Sequence, residues 1–378
     1  MTKFTSTYLS STDVHSLVAS YDAPLRKQVL SSYFLALSTL EERIPSEVPR
    51  PAPSALFEAA SSGKASIYAL FGGQGTNEVY LDELQSLYDI YKPFVSDLIA
   101  VASEQVLKPL ATQADLDGHS YYSHGLDILA WLDGSSPRPS VEYVASIPIS
   151  FPLIGLTQLV QYLVTVRVAN LTPGEFRARI AGATGHSQGI VSAVAIAASD
   201  SLQDFTANSL KALRWLFYSG LRGQEAFPVL SVEPSIVADA VEGGEGTPSP
   251  MLNVSGLSLS SLEGHVKKAN AHLPSNSQLF ISLHNGPRTF VVTGPARALY
   301  GLVTALRAVK APAGADQSKI PFSQRKAVFS TRFLVVGVPY HSDYLSEAAE
   351  KVCQIDLKGE ELWKASDIKI SVTHTESG

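Results

Sequence analysis

The 378-residue chain is 45% hydrophobic and 17% charged, the balance of an ordinary folded protein long enough for two or three packed units. Its formal net charge of -6 argues against nucleic acid or an anionic membrane as the principal partner, since both reward a basic surface. A single cysteine, Cys353, excludes an internal disulfide framework, and the nine histidines fall into no metal-ligand spacing, so no metal is expected.

The opening MTKFTSTYLSSTDVHSL lacks the apolar core of a signal peptide. The longest apolar stretch, Ser150–Val166, is interrupted by Pro152, Gln158 and Gln161. No membrane span is predicted, and a cytoplasmic location is expected. Leu25, Val29, Leu30, Tyr33, Phe34, Leu37 and Leu40 recur at helical spacing and predict a helix over Pro24–Glu42. The proline-rich residues 45–54 then read as a linker. Ala65–Phe71 predicts a buried strand running into the Gly72-Gly73-Gln74-Gly75 loop. Helical patterns follow through Leu84, Tyr88, Phe94, Leu98 and Val101, and again over Pro152–Val166. Ala178–Gly189 with the apolar run after it reads as strand, tight turn and helix. From Val229 onward the pattern changes: strand-like Val229–Val232, Met251–Val254, Leu279–Leu283 and Phe290–Thr293 alternate with helical Leu259–Ala269 and Ala296–Val309. This β-α-β-β-α order suggests a small ferredoxin-like unit inserted into a larger α/β domain. Val328–Val336 is read as a strand of the larger domain leading to Pro339, Tyr340 and His341, and Cys353 as a helix residue facing the core.

Gly185-His186-Ser187-Gln188-Gly189 matches G-x-S-x-G, a pattern that puts a serine at the apex of a strand-to-helix turn. Glycines on both sides let strand and helix approach closely, and the helix start offers unpaired N–H groups beside the hydroxyl. Ser187 is therefore the candidate nucleophile. His186 is expected to point away from it. His341, at a strand end before a helix, is a candidate base, with His284 and His374 as rivals at other strand ends. An oxyanion needs two preorganised donors. The Gln188 backbone N–H is one, and the glycine loop, at Gln74, offers the second. That loop lacks the Gly-Lys-Ser/Thr of a nucleotide site.

FGGQGT, GATGHSQG and VPYHS, in this order, resemble the malonyl/acetyl-CoA:carrier-protein transacylases. SIPISFPLIG, GLRGQEAFP, MLNVSGLS, ISLHNGPRTFVVTGP and APAGADQSKIPFSQRK narrow the resemblance to the acetyltransferase domain at the N-terminus of fungal type I fatty acid synthase β subunits, over about residues 65 to 378. The resemblance implies an α/β fold: an α/β-hydrolase-like large subdomain with an inserted ferredoxin-like small one, here behind a helical N-terminal segment. The expected divisions are 1–60, then 61–228 with 328–378, and 229–327. It implies ping-pong transfer of an acetyl or other short acyl group from coenzyme A to the phosphopantetheine of an acyl carrier protein. Ser187 would be nucleophile, His341 base, and the Gln74 and Gln188 N–H groups the oxyanion hole. Gln158 and Asn285 match substrate-side positions. No resident cofactor is implied, and the expected partners are the carrier protein and the other parts of a synthase.

Two departures from the family pattern stand out. Malonyl-specific relatives carry an arginine where this chain has Ser219, and Arg222 would face elsewhere on the helix. The family also continues, past the point where this sequence stops, with a helix, a strand and the carbonyl that orients the catalytic histidine, so a piece of a longer subunit is expected. The alternative readings are a catalytically impaired fragment with an assembly role and a serine esterase or thioesterase.

Overall fold

The computed structural model describes residues 2–9, 12–49, 54–75, 77–229, 231–312 and 314–373. Among these residues seven strands build two sheets: β1 (Tyr68–Phe71), β2 (Gly182–Gly185), β3 (Met251–Ser255), β4 (Phe280–Gly286), β5 (Thr289–Thr293), β6 (Ser330–Phe333) and β7 (Val372–Thr373). One sheet runs β1-β2-β7, all parallel, and the other β4-β5-β3-β6, all antiparallel. Two compact units hold them. The first takes the described residues of Met1–Val144, Ile149–Tyr218 and Glu360–Gly378, and the second those of Ala145–Pro148 and Ser219–Gly359.

After two short helices, Thr2–Tyr8 and Val14–Leu17, the first unit runs into the long helix α1 (Ala23–Arg43). Asp22 caps it by accepting the Leu25 N–H at 2.9 Å. Its buried Leu30 and Phe34 face α2 (Tyr80–Ala102), where the Phe34 ring lies 4.9 Å from Tyr91 and 5.5 Å from Phe94. The N-terminal segment thus packs into the first unit. Within α2, Tyr91 leaves helical geometry two residues before Pro93, which lacks an N–H and crowds the preceding turn. Helix α3 (Ile147–Val168) is long and apolar enough to cross a membrane, but its most apolar window is 89% buried, as in a core helix. At Gly155 it meets α5 (Leu202–Ala226) so closely that a Cβ would sit 2.2 Å from Leu216 Cδ1. Between them in sequence comes α4 (Gly189–Ala197), buried at Val191, Ser192, Ala193 and Ala195–Ala197.

The second unit runs β3, α6 (Leu259–Asn270), β4, β5, α7 (Ala296–Val309), β6. This is the ferredoxin-like order, with β3 central. Leu252, Val254, Val292, Leu299, Leu302 and Val303 are fully buried between sheet and helices. Each contributes roughly 1.5–3 kcal/mol of burial.

The α/β class, with a hydrolase-like parallel unit, an inserted ferredoxin-like unit and N-terminal helices, agrees with the resemblance. Four local expectations do not hold. The strand after Ala65, expected to be buried, presents Tyr68 and Leu70 to solvent, because β1 is an edge strand of the parallel sheet. Ser330–Phe333 is the fourth strand of the small sheet, paired with β3 from Leu252–Phe333 to Ser255–Ser330, because β3 still had a free edge. The described residues of Val229–Val232 form no strand: Pro228 and Pro234 bracket them, and β3 already has both neighbours. Cys353 lies in a helical turn but is exposed. The units also divide elsewhere than expected, with 219–228 and 328–359 belonging to the second.

Candidate active site

In the first unit, β2 ends at Gly185 and α4 starts at Gly189, leaving three residues to reverse the chain. The turn is made by placing Ser187 at φ 53°, a left-handed conformation that costs an L-residue about 1–3 kcal/mol unless its surroundings enforce it. They do. A Cβ at Gly185 would lie 2.0 Å from the Gly189 carbonyl carbon, and one at Gly189 would lie 2.4 Å from Phe71 O and 2.5 Å from Gly72 O. The His186 N–H donates to Phe71 O at 2.9 Å, and the His186 side chain is exposed. Gly73 lies against the apex, where a Cβ would stand 3.1 Å from Ser187 Cβ. Glycine is required at Gly185 and Gly189 because backbone touches backbone, and Gly73 leaves room for the His186 and Ser187 residues at the apex.

The glycine loop after β1 is tied to the same turn. Gln74 Nε2 donates to Gln188 Oε1 at 2.7 Å. Asn77, fully buried, accepts the Gly75 N–H at 3.0 Å and donates to Gln74 Oε1 and, at 3.3 Å, to Ser150 Oγ. Gln158, on α3, donates to Gly72 O at 2.7 Å and accepts from Ser192 Oγ at 2.8 Å. Its amide thus braces the loop against α4. The backbone N–H groups of Gln74 and Gln188 engage no acceptor among the described residues. A 330 Å³ cavity beside Gly72 and Gly73 is lined by Phe71, Ile154, Gln158 and Tyr162, and Ser187 does not line it.

In the second unit, His341 follows β6 at φ 60° and is exposed. Its turn is held by Ser342 Oγ donating to Pro339 O at 2.5 Å and by the Tyr340 N–H on Val338 O at 2.9 Å. The Tyr340 hydroxyl lies 3.5 Å from Ser219 O, in a space that Gly223 leaves open: a Cβ there would meet it at 2.8 Å. Among the described residues only Asn170, Ser187, His341 and Lys358 have positive φ without being glycine. The rival His284 lies on β4, exposed, edge-on to Phe290 at 5.3 Å. His374 lies outside the described residues. Asn285 sits at the second irregularity of β4, where the register with β5 shifts between His284 and Gly286.

Ser219 and Arg222 are on α5. Arg222 makes a two-pronged contact with Asp356, Nε to Oδ2 at 2.9 Å and Nη2 to Oδ1 at 2.7 Å, and its Nη1 reaches Glu225 at 2.7 Å. Asp356, whose side chain is 6% exposed, raises the guanidinium pKa further above its ordinary range. Arg222 is committed to the unit's own frame. Asn77, Ser150 and Ser192 were not singled out from sequence. An asparagine two residues after a glycine loop, able to accept its backbone N–H, is the one local signal by which Asn77 could be found.

Residues 69–327 match the protein family described as "Starter unit:ACP transacylase in aflatoxin biosynthesis". The chain is similar to the fatty acid synthase subunit beta of Saccharomyces cerevisiae, 43% identical over 380 residues, covering 100% of this chain and 18% of that protein. The corresponding subunit of Schizosaccharomyces pombe is 40% identical over 376 residues, covering 99% and 17%. The chain therefore spans less than a fifth of the length of these relatives. The solved malonyl CoA-acyl carrier protein transacylase (fabD) of Coxiella burnetii shares the fold, with a TM-score of 0.50 at 17% identity over 82% of this chain and 72% of that one.

Proposed function

Because the chain belongs to the starter unit:ACP transacylase family, we propose that it moves a short acyl starter, acetyl before others, from coenzyme A through an acyl-Ser187 intermediate to the phosphopantetheine thiol of an acyl carrier protein, as the priming step of a fungal-type fatty acid synthase. The observation that carries the reading is the Ser187 turn, a serine at φ 53° boxed by Gly73, Gly185 and Gly189. Such strain persists only where the surroundings over-determine it, as they do at catalytic nucleophiles.

His341 takes the Ser187 Oγ proton as the oxygen attacks the thioester carbonyl. The N–H groups of Gln74 and Gln188 stabilise the oxyanion, each contributing roughly 3–4 kcal/mol. The carbon–sulfur bond breaks, and coenzyme A leaves with the proton from His341. The carrier thiol then repeats the sequence in the opposite direction and regenerates the serine hydroxyl. Both thiols come with the substrates, so the cycle uses no resident cofactor or metal. In this scheme Gln158 braces the loop that bears Gln74 rather than touching the acyl group, and Asn285 lies on the substrate side.

Ser219 is small and uncharged, and Arg222 is neutralised by Asp356 and Glu225. An unpaired malonyl carboxylate would lose its hydration without gaining a partner. Acetyl transfer should therefore exceed malonyl transfer in kcat/KM by about 10²-fold. The test is to incubate the chain with a holo carrier protein and either acetyl-CoA or malonyl-CoA, alongside Ser219→Arg. The acetylated carrier should form, and the arginine variant should gain malonyl transfer relative to acetyl. A wild type that prefers malonyl, or that transfers neither, contradicts the reading.

A further inference from the structure

The residues that bear the two proposed oxyanion donors are joined through their side chains, and the joint starts at a residue with no role in the scheme above. Asn77 is buried to 0% exposure. Its Oδ1 is occupied by the Gly75 N–H, an obligatory donor, at 3.0 Å, so its amide group must turn the NH2 toward Gln74 and Ser150. Gln74 accepts that NH2 on Oε1 and is thereby left with its own NH2 facing Gln188, which accepts at 2.7 Å. Each amide fixes the polarity of the next. Reversing Asn77 would set donor against donor with Gly75. The row thus links the loop after β1 to the start of α4 with one permitted orientation, and Ser150 anchors it to α3.

We propose that Asn77 is a positioning residue for acyl transfer, resting on the Ser187 reading: through Gln74 and Gln188 it sets the separation of the two backbone N–H groups that receive the oxyanion. Such donors work only within about 2.7–3.1 Å of the oxygen, so a loop displaced by a fraction of an ångström loses transition-state stabilisation. The thioester is bound before that charge develops. The loss therefore falls on the rate of the chemical step and spares binding.

The experiment measures single-turnover acetylation of Ser187 over a range of acetyl-CoA concentrations, in wild type, Asn77→Ala, Gln74→Met and the double variant. Gln74→Met keeps side-chain length and leaves Asn77 in place, so the link is tested even if Asn77→Ala folds poorly. The maximal rate should fall at least about 10-fold in each single variant, with half-saturation within about twofold of wild type. The double variant should be no slower than the slower single variant, because both changes cut the same row. A merely structural asparagine would lower melting temperature without producing this split. Wild-type maximal rate in either folded variant, a loss confined to half-saturation, or multiplicative effects would overturn the proposal. If wild type acetylates on Ser187 and Asn77→Ala does so equally fast, only the Asn77 proposal falls. If wild type carries no acyl group on Ser187, the reading beneath it falls as well.

Discussion

Ser187 and His341 share an uncommon backbone sign, φ 53° and 60°, but they are held there by different means. Around Ser187 the restraints are main chain on main chain: Gly185 against Gly189 and Ile190, and Gly189 against Phe71 and Gly72. No rotamer change can relieve a clash of that kind. Around His341 the restraints include side chains, with Tyr340 filling the space at Gly223 and the Ser342 hydroxyl on Pro339 O. Side chains can shift by a few tenths of an ångström and recover. The nucleophile's turn is thus fixed by the backbone path itself, whereas the base sits on a turn whose supports can be exchanged. Substitutions in the two places should differ in kind as well as size.

The largest effect is expected at Gly185→Ala. The added carbon would stand 2.0 Å from backbone atoms. Strand and helix must then separate, and soluble protein or acylation should be lost altogether. A variant with wild-type acylation would break the contrast at its stronger end. Next in size, His341→Ala should slow acylation by about 10³-fold or more while His284→Ala stays near wild type, because an unassisted serine hydroxyl is a poor nucleophile. Damage from His284→Ala instead would move the base to β4.

Gly223→Ala should have an intermediate effect. The new methyl meets the end of a tyrosine side chain at 2.8 Å, an overpacking that costs roughly 1–3 kcal/mol and leaves measurable activity. Gly301→Ala provides the small control: it lies on α7 with nothing within 4 Å of the added carbon, so stability should rise by about 0.5–1 kcal/mol. Denaturant midpoints of the two variants test both claims. If Gly223→Ala is as destructive as Gly185→Ala, the two turns are built alike after all.

The elements legible in the sequence were those with local signals. Alternating β and α patterns gave the ferredoxin-like order, and Ala296–Val309 was predicted with its observed ends. The G-x-S-x-G pattern located the strained serine, since its glycines are required by contacts only a few residues away. What could not be read depended on distant partners. Ser330–Phe333 looked like any strand, and only the free edge of β3 decides which sheet it joins. The described residues of Val229–Val232 have strand composition, but Pro228 and Pro234 bracket them and they join neither sheet. Cys353 has the apolar character of a core residue, yet its turn presents it to solvent. Arg222 could be set aside as a clamp by helical phase, but its capture by Asp356 spans a separation no local pattern encodes. The same holds for the row from Asn77 to Gln188, whose members are scattered between the glycine loop and the serine turn.

The most direct test of the central claim is intact-mass measurement of wild type and Ser187→Ala after mixing with acetyl-CoA, followed by addition of a pantetheine thiol. The wild type should gain one acetyl group, lose it to the thiol much faster than to water, and yield the acetyl thioester, while Ser187→Ala, folded as judged by its melting curve, should gain none. An equal acetyl adduct in Ser187→Ala, or an adduct released to water as fast as to the thiol, would contradict acyl transfer through Ser187.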